Sequence, residues 1–190
     1  AASNAILTTD LKPKTYVRKF KFDNQIFAIS AIAKGSGMIM PNMATMLAFI
    51  FTDFAIDKKT LSTLTKNAVR HSFNKISVDG DTSTSDTVFV ATTNKKGVEF
   101  KAHKKKEAFG VFYSELKAAM EDLAKKIVMD GEGATKFVDI KVKNARTVER
   151  ARKICFSIAN SILVKTAIAG EDANWGRLIM AMGKTQIRFQ

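Results

Sequence analysis

A glycine-punctuated loop that runs directly into an apolar strand constrains this chain more than any other stretch. The loop reads KGSGMIMPNMA, and the segment after it reads TMLAFIF. Gly35 and Gly37 allow backbone conformations that other residues avoid. Pro41 fixes its own backbone and restricts the residue before it. The sequence therefore predicts a sharply shaped backbone just ahead of Ala44 and Thr45.

The threonine at the junction of loop and strand has two interpretations. In the structural one, Thr45 is simply the β-branched first residue of a buried strand. In the chemical one, Thr45 is a nucleophile, which requires a base beside its weakly nucleophilic hydroxyl. If the peptide bond between Ala44 and Thr45 were cut, the new α-amine, whose ordinary pKa is near neutrality, would be such a base. Spacing alone favours the structural interpretation.

Hydrophobic periodicity predicts a mixed α/β chain. The predicted strands are 16–22, 26–33, 45–52, 87–92, 137–142 and 185–189. The predicted helices are the end of one at 1–7, then 57–73, 107–129, 148–164 and 174–182. Asp23-Asn24 is a turn signal that should join the first two strands as a hairpin, and Asp57 is a predicted N-cap. Trp175 is expected to bury its indole at the start of the last helix. Adjacent strands with interspersed helices favour layered sheets with packed helices over a strict βαβ repeat.

Composition excludes several classes of protein. A chain of 190 residues that is 46% hydrophobic can bury the core of one domain. It has no apolar run near the ~20 residues of a membrane span and no signal-peptide pattern at its start. Cys155 is the only cysteine, which rules out an intrachain disulfide and fits a reducing compartment. His71 and His103 have no metal-ligand spacing around them, so we expect no metal site.

The net charge of +13 leaves a binding module as an alternative. Lysine dispersed over many elements is usually solvated surface. The short lysine runs lack the interleaved aromatic residues of a single-strand-binding platform. We therefore expect no nucleic-acid partner, although a basic field would attract small anionic substrates.

An acidic loop offers a second alternative. Asp79 and Asp81 follow a short apolar piece, and Asp-x-Asp in that position suggests a phosphotransferase with Asp79 as nucleophile and Asp81 as acid around Mg²⁺. Short polar side chains in a loop also bond their own backbone, which is the simpler interpretation. The motif alone is weak and leaves the glycine-rich loop without a role. We interpret this loop as structural support for a site.

The glycine-rich segment also resembles a known family. KGSGMIMPNMATML is similar to the processing and nucleophile segment of the ornithine acetyltransferase family, the glutamate N-acetyltransferases of arginine biosynthesis. Further segments match in order: AILTTD (5–10) with Pro13 and Lys14, SFN (72–74) with VDGDTST (78–84), GEGATK (131–136) and GEDANWGR (170–177). Two departures are Ser85, where the family pattern leads us to expect asparagine, and Ala173, where it leads us to expect proline.

The resemblance implies a self-processing fold whose nucleophile is an N-terminal threonine. Cleavage between Ala44 and Thr45 would leave residues 1–44 as the end of an α chain and 45–190 as the start of a β chain. Against the family, residues 1–190 are expected to be a single partial domain, an internal fragment. The oxyanion donors, a threonine-glycine pair in the family, fall outside it, so the fragment alone should be poorly active.

The resemblance also implies an activity and its residues. Thr45 would carry acetyl from N2-acetylornithine to glutamate in a ping-pong reaction, with acetyl-CoA as a possible further donor and no resident cofactor. Lys34, Glu132 and, by its place in the upstream motif, Thr8 would contact substrate. The expected assembly is a cytoplasmic heterotetramer of two α and two β chains, with no membrane partner.

Overall fold

The computed structural model describes residues 1–40, 46–96 and 102–188. The chain divides into two compact units, Ala1–Glu132 and Gly133–Gln190. Among the described residues no helix is long and apolar enough to cross a membrane.

The first unit is built on a four-stranded sheet. Its strands are β1 (Lys14–Phe22), β2 (Gln25–Lys34), β3 (Leu47–Phe54) and β4 (Thr87–Lys96). Their order in the sheet is β1-β2-β3-β4, with β1, β2 and β3 antiparallel in turn and β3 parallel to β4. Its helices are α1 (Ala2–Ala5), α2 (Lys58–His71) and α3 (Ala102–Met129), and a 3₁₀ turn covers Phe73–Lys75. The predicted α/β class with a sheet and packed helices is confirmed.

A two-residue turn closes the β1–β2 hairpin. Asp23 and Asn24 have φ of 47° and 60°, and Phe22 pairs with Gln25 across the turn. Positive φ at both central residues gives the turn the twist that matches antiparallel strands, and Asp and Asn tolerate this region better than most residues. The predicted hairpin is therefore confirmed.

The core of the first unit lies between one face of the sheet and the helices. Alternate residues of β2 and β3 are buried there, and α3 adds side chains at helical spacing. The Phe54 ring lies 4.7 Å from the Phe112 ring at 6°, and 4.9 Å from the Phe27 ring at 64°. Asp57 caps α2, as predicted, by accepting the Thr60 N–H at 2.9 Å. This packing fixes the ends of β2, β3 and β4, where the candidate site lies.

The second unit is a small helical cluster. It consists of α4 (Val148–Ala159), α5 (Ile162–Ala169) and α6 (Trp175–Gly183). Its hydrophobic core cluster contains the buried residues Ile154, Ile158, Val164 and Ala181. The caps of the three helices are Thr147, Ser161 and Asn174, each accepting a backbone N–H of the first turn.

Four expectations for this region are wrong. Residues 137–142 are irregular, and 185–188 form a turn and then an irregular segment, because alternation makes a strand only where a partner strand supplies hydrogen bonds. The predicted helix 148–164 is two helices, since Ser161 caps the second one. Trp175 is 75% exposed instead of buried.

Candidate active site

A buried lysine ends β2, at the start of the glycine-rich loop. Lys34 is only 8% exposed, and its Nζ donates to Thr8 Oγ1 at 2.8 Å. The described residues place no carboxylate within ion-pair distance of this ammonium. A buried cation without a counter-charge is costly, so the site suits an anionic group. The structure therefore brings two of the predicted substrate contacts, Thr8 and Lys34, into direct contact.

A second buried lysine, Lys14, forms ion pairs with aspartates of two neighbouring loops. Lys14 is 1% exposed, and its Nζ lies 2.6 Å from both Asp10 Oδ1 and Asp130 Oδ2. Asp10 Oδ1 also accepts the Gly35 N–H at 2.6 Å, and Asp130 Oδ2 accepts backbone N–H groups of the loop before β1. Burial alone raises the pKa of Asp10, but the Gly35 N–H and the Lys14 ammonium outweigh it, and the net shift is downward.

Glu132 joins this cluster through the loop that follows α3. Its N–H donates to the Ser36 carbonyl at 3.1 Å, and the Ser36 hydroxyl donates to the Asp130 carbonyl at 2.7 Å. A Cβ added at Gly37 would lie 2.9 Å from Glu132 Oε1, so the carboxylate rests against a glycine that leaves it room. Glu132 itself is exposed to solvent. Exposed Glu132 and buried Lys14 thus belong to one hydrogen-bonded cluster, connected through Asp130 and Ser36.

Asp79 uses its carboxylate to shape the glycine-rich loop. Its Oδ2 accepts the Met38 N–H at 2.6 Å, and its Oδ1 accepts the Ile39 N–H at 3.0 Å and the Asp81 N–H at 3.0 Å. Met38 has φ of 52°, a backbone conformation that such bonds help to hold. Three backbone N–H groups on one carboxylate favour structural support over the phosphotransferase alternative.

Asp86 lies where β4 begins and was not singled out from the sequence. It is 8% exposed, and its Oδ1 accepts the Met46 N–H at 2.5 Å. Its Oδ2 is buried and has no hydrogen-bond partner among the described residues. Burial raises the pKa of Asp86 from 3.8 to about 6, and the Met46 N–H opposes this shift. The signal available in the sequence was a carboxylate directly before an apolar strand.

The strand register places Lys34 and Asp86 on opposite sides of the start of β3. Leu47 pairs with Lys34 on β2 and with Thr87 on β4. Lys34 and Asp86 therefore come from the two strands that flank the first residues of β3. The predicted cleavage pair, Ala44 and Thr45, lies outside the described residues, immediately before this point.

Comparisons with known proteins agree on one family. The ArgJ family model matches residues 1–190. The arginine biosynthesis bifunctional protein ArgJ of Bartonella henselae is 47% identical over 186 residues, which cover 98% of this chain and 45% of that protein. The glutamate N-acetyltransferase of Methanocaldococcus jannaschii is 49% identical over 190 residues, covering 99% of this chain and 46% of that protein. The chain thus spans about half the length of these relatives.

A solved structure gives the same answer for the fold. The crystal structure of ArgJ from Bacillus halodurans matches with a TM-score of 0.70 and 41% identity, covering 77% of this chain and 68% of that one. The fold is of the N-terminal-nucleophile hydrolase type, which defines the class of protein. Within that class, the chain belongs to the ArgJ family.

Proposed function

We propose that the protein carrying this chain is a glutamate N-acetyltransferase that moves acetyl from N2-acetylornithine to glutamate, with Thr45 as nucleophile. One observation carries the proposal: buried Lys34, bonded to Thr8 and without a carboxylate partner among the described residues, ends the strand beside the start of β3. The name of the Methanocaldococcus jannaschii relative, glutamate N-acetyltransferase, supports acetyl transfer to glutamate, and the name of the Bartonella henselae relative supports a role in arginine biosynthesis.

The proposed first stage is self-cleavage. The Thr45 hydroxyl attacks the Ala44 carbonyl carbon, the acyl group moves from nitrogen to oxygen, and water hydrolyses the ester. The products are a carboxylate at residue 44 and a free α-amine at residue 45. That amine, with an ordinary pKa near neutrality, is then available as a base beside its own hydroxyl.

The proposed second stage is acetyl transfer in two half-reactions. Thr45 Oγ attacks the acetyl carbonyl carbon of N2-acetylornithine, the α-amine takes the hydroxyl proton, and that proton passes to the nitrogen of the departing ornithine. The amine of glutamate then attacks the acetyl ester of Thr45, the ester C–O bond breaks, and the proton lost by the glutamate nitrogen passes through the α-amine to Thr45 Oγ, which restores the hydroxyl. Preorganised donors must hold the oxyanion in both steps, and the family's threonine-glycine pair for this task lies outside these residues.

The substrate contacts follow from charge. Lys34 is proposed to bind a substrate carboxylate, and this is supported by its burial and its hydrogen bond to Thr8. Glu132 is a solvent-accessible anion suited to the amino end of the substrate. The proposed assembly is a cytoplasmic heterotetramer of two α and two β chains, and acetyl-CoA is a further possible donor.

The first test is the intact mass of the complete protein beside two variants. Wild type should give two fragments divided between Ala44 and Thr45, whereas Thr45→Ala should give one uncut chain without acetyltransferase activity. Thr63→Ala is the matched control, because this threonine is exposed on α2. Acetyl transfer by an uncut Thr45→Ala chain would refute the proposed nucleophile.

A further inference from the structure

Three separate segments of the first unit each carry one of the predicted substrate contacts. Thr8 lies in the loop before β1, Lys34 lies at the start of the glycine-rich loop, and Glu132 lies in the loop after α3. A site that binds an amino acid by its carboxylate and its amine together depends on how its contacts are spaced. Whatever fixes these three segments relative to one another therefore affects substrate binding directly.

Two aspartates join the three segments through hydrogen bonds to backbone groups. The Asp10 carboxylate accepts the Gly35 N–H at 2.6 Å and the Thr8 N–H at 3.4 Å, so it joins the loop before β1 to the glycine-rich loop. The Asp130 carboxylate accepts two N–H groups of the loop before β1, at 3.0 and 3.3 Å. The Asp130 carbonyl accepts the Ser36 hydroxyl at 2.7 Å, which joins the loop after α3 to the glycine-rich loop.

Lys14 is the cation that these two aspartates share. It is the first residue of β1, and its Nζ lies 2.6 Å from both Asp10 Oδ1 and Asp130 Oδ2. The same two oxygens accept the Gly35 N–H and the N–H groups of the loop before β1. All three charged side chains are buried, where electrostatic interactions are stronger than in water. A change at Nζ is therefore transmitted to all three segments through directly bonded groups.

We infer that Lys14 is a positioning residue that fixes the spacing of the substrate contacts Thr8, Lys34 and Glu132. This inference rests on the proposed function and deepens it. Without the ammonium, the two aspartates are like charges that repel each other across the space it filled, and the segments that they hold move apart. Every predicted contact would still be present, but not at the spacing that one amino acid bridges.

A purely structural role for Lys14 makes a different prediction. Loss of a buried ion pair lowers the fraction of folded protein, which lowers the apparent kcat in proportion and leaves the KM of the folded molecules unchanged. Displacement of the binding groups instead raises KM, because it weakens binding of the substrate itself. The separate effects on KM and kcat therefore distinguish the two roles.

The test measures KM and kcat for N2-acetylornithine and glutamate in the complete protein with Lys14→Met. We expect KM for glutamate to rise about tenfold while kcat per folded molecule stays within about threefold, since a displacement of about 1 Å has effects of this size or larger. Phe112→Leu is the matched control, because it loosens the buried core against the Phe54 ring. It should lower the midpoint of urea unfolding and leave KM unchanged.

Two variants decide whether Lys14 has this role. A Lys14→Met enzyme whose KM for glutamate stays within about threefold of wild type overturns the inference, whatever its stability or kcat. If Lys14→Met does not fold, Asp130→Asn decides, because asparagine keeps an oxygen for the backbone N–H groups and removes one of the two charges that face Lys14. A KM raised by more than about threefold in that variant supports the inference, and a smaller change overturns it.

Failure of the proposed function gives different results. Acetyl transfer by Thr45→Ala refutes the nucleophile and leaves the comparison of KM values intact. A wild-type protein that transfers no acetyl group between N2-acetylornithine and glutamate refutes the proposed function and, with it, the role of Lys14.

Discussion

Replacement of Lys14 by methionine should be among the most damaging single changes in this chain. Methionine keeps much of the length and apolar surface of the side chain but removes the ammonium. Asp10 and Asp130 would then be left as two buried carboxylates without their shared cation, each previously 2.6 Å from Nζ. The backbone N–H groups that they accept would remain.

The structure sets the size of the expected effect. Removing one partner of a buried ion pair costs roughly 3–5 kcal/mol, because the other partner is left charged and unpaired. Lys14 is 1% exposed, and the Asp10 and Asp130 side chains are 0% and 8% exposed, so solvent screens this interaction little. We expect Lys14→Met to lower the free energy of unfolding by about 3–5 kcal/mol.

Lys104→Met is the matched control for that measurement. Lys104 pairs with Asp23 at 2.5 Å, but both side chains are about 40% exposed, so its loss should cost about 1 kcal/mol or less. Urea-induced unfolding of the two variants and of wild type gives the comparison. A Lys14→Met protein within 1 kcal/mol of the control would refute the argument.

The difference in stability between wild type and Lys14→Met should also depend on pH. The pKa of Asp10 is lowered in the folded chain, so its stabilising contribution is present above the ordinary value of 3.8 and is lost as pH falls through the lowered folded value. Part of this contribution comes from Lys14. The stability difference between wild type and Lys14→Met should therefore be full at pH 6 and narrow below about pH 4. A difference that stays constant across this range would contradict the mechanism.

Three further perturbations test separate parts of the structure. Gly37→Ala should displace the Glu132 carboxylate, because its Oε1 would lie 2.9 Å from the new Cβ. We expect KM to rise about tenfold while the free energy of unfolding in urea changes by about 1 kcal/mol or less. An unchanged KM would count against Glu132 as a substrate contact. Asp57→Ala removes the cap on the Thr60 N–H and should cost about 1 kcal/mol in the same unfolding assay. In an uncleaved Thr45→Ala background, Asp86→Asn should add on the order of 3 kcal/mol of stability at pH 8 and little at pH 4, because the raised pKa of Asp86 makes its ionisation unfavourable above about pH 6.

Local chemistry made several elements predictable. Asp23 and Asn24 form the expected turn because their short polar side chains tolerate positive φ. The apolar spacing after Asp57 predicted α2, and the cap forms as expected. In each case the deciding interactions lie within a few residues along the chain, so the sequence contains them directly.

Elements that depend on a distant partner were predicted less well. Residues 137–142 alternate as a strand does, yet no strand forms, since a strand is stable only when a neighbour completes its hydrogen bonds. Trp175 has the apolar character of a buried residue but is largely exposed. Periodicity describes which residues share a face, and it does not say whether anything covers that face.

For the site, the sequence by itself determined the family motifs, and from these came the predictions of Thr8, Lys34 and Glu132 as substrate contacts and of Thr45 as nucleophile. Only the tertiary structure decided that Lys34 bonds Thr8, that Lys14 binds aspartates 4 and 116 residues away, and that Asp86 lies beside the start of β3. The physical reason is that a motif conveys which residue types are present, whereas burial and ion pairing depend on which distant strands and loops fold together. A charged residue such as Asp86 has the same letter in a solvated loop as in an apolar site, and only its surroundings change its pKa.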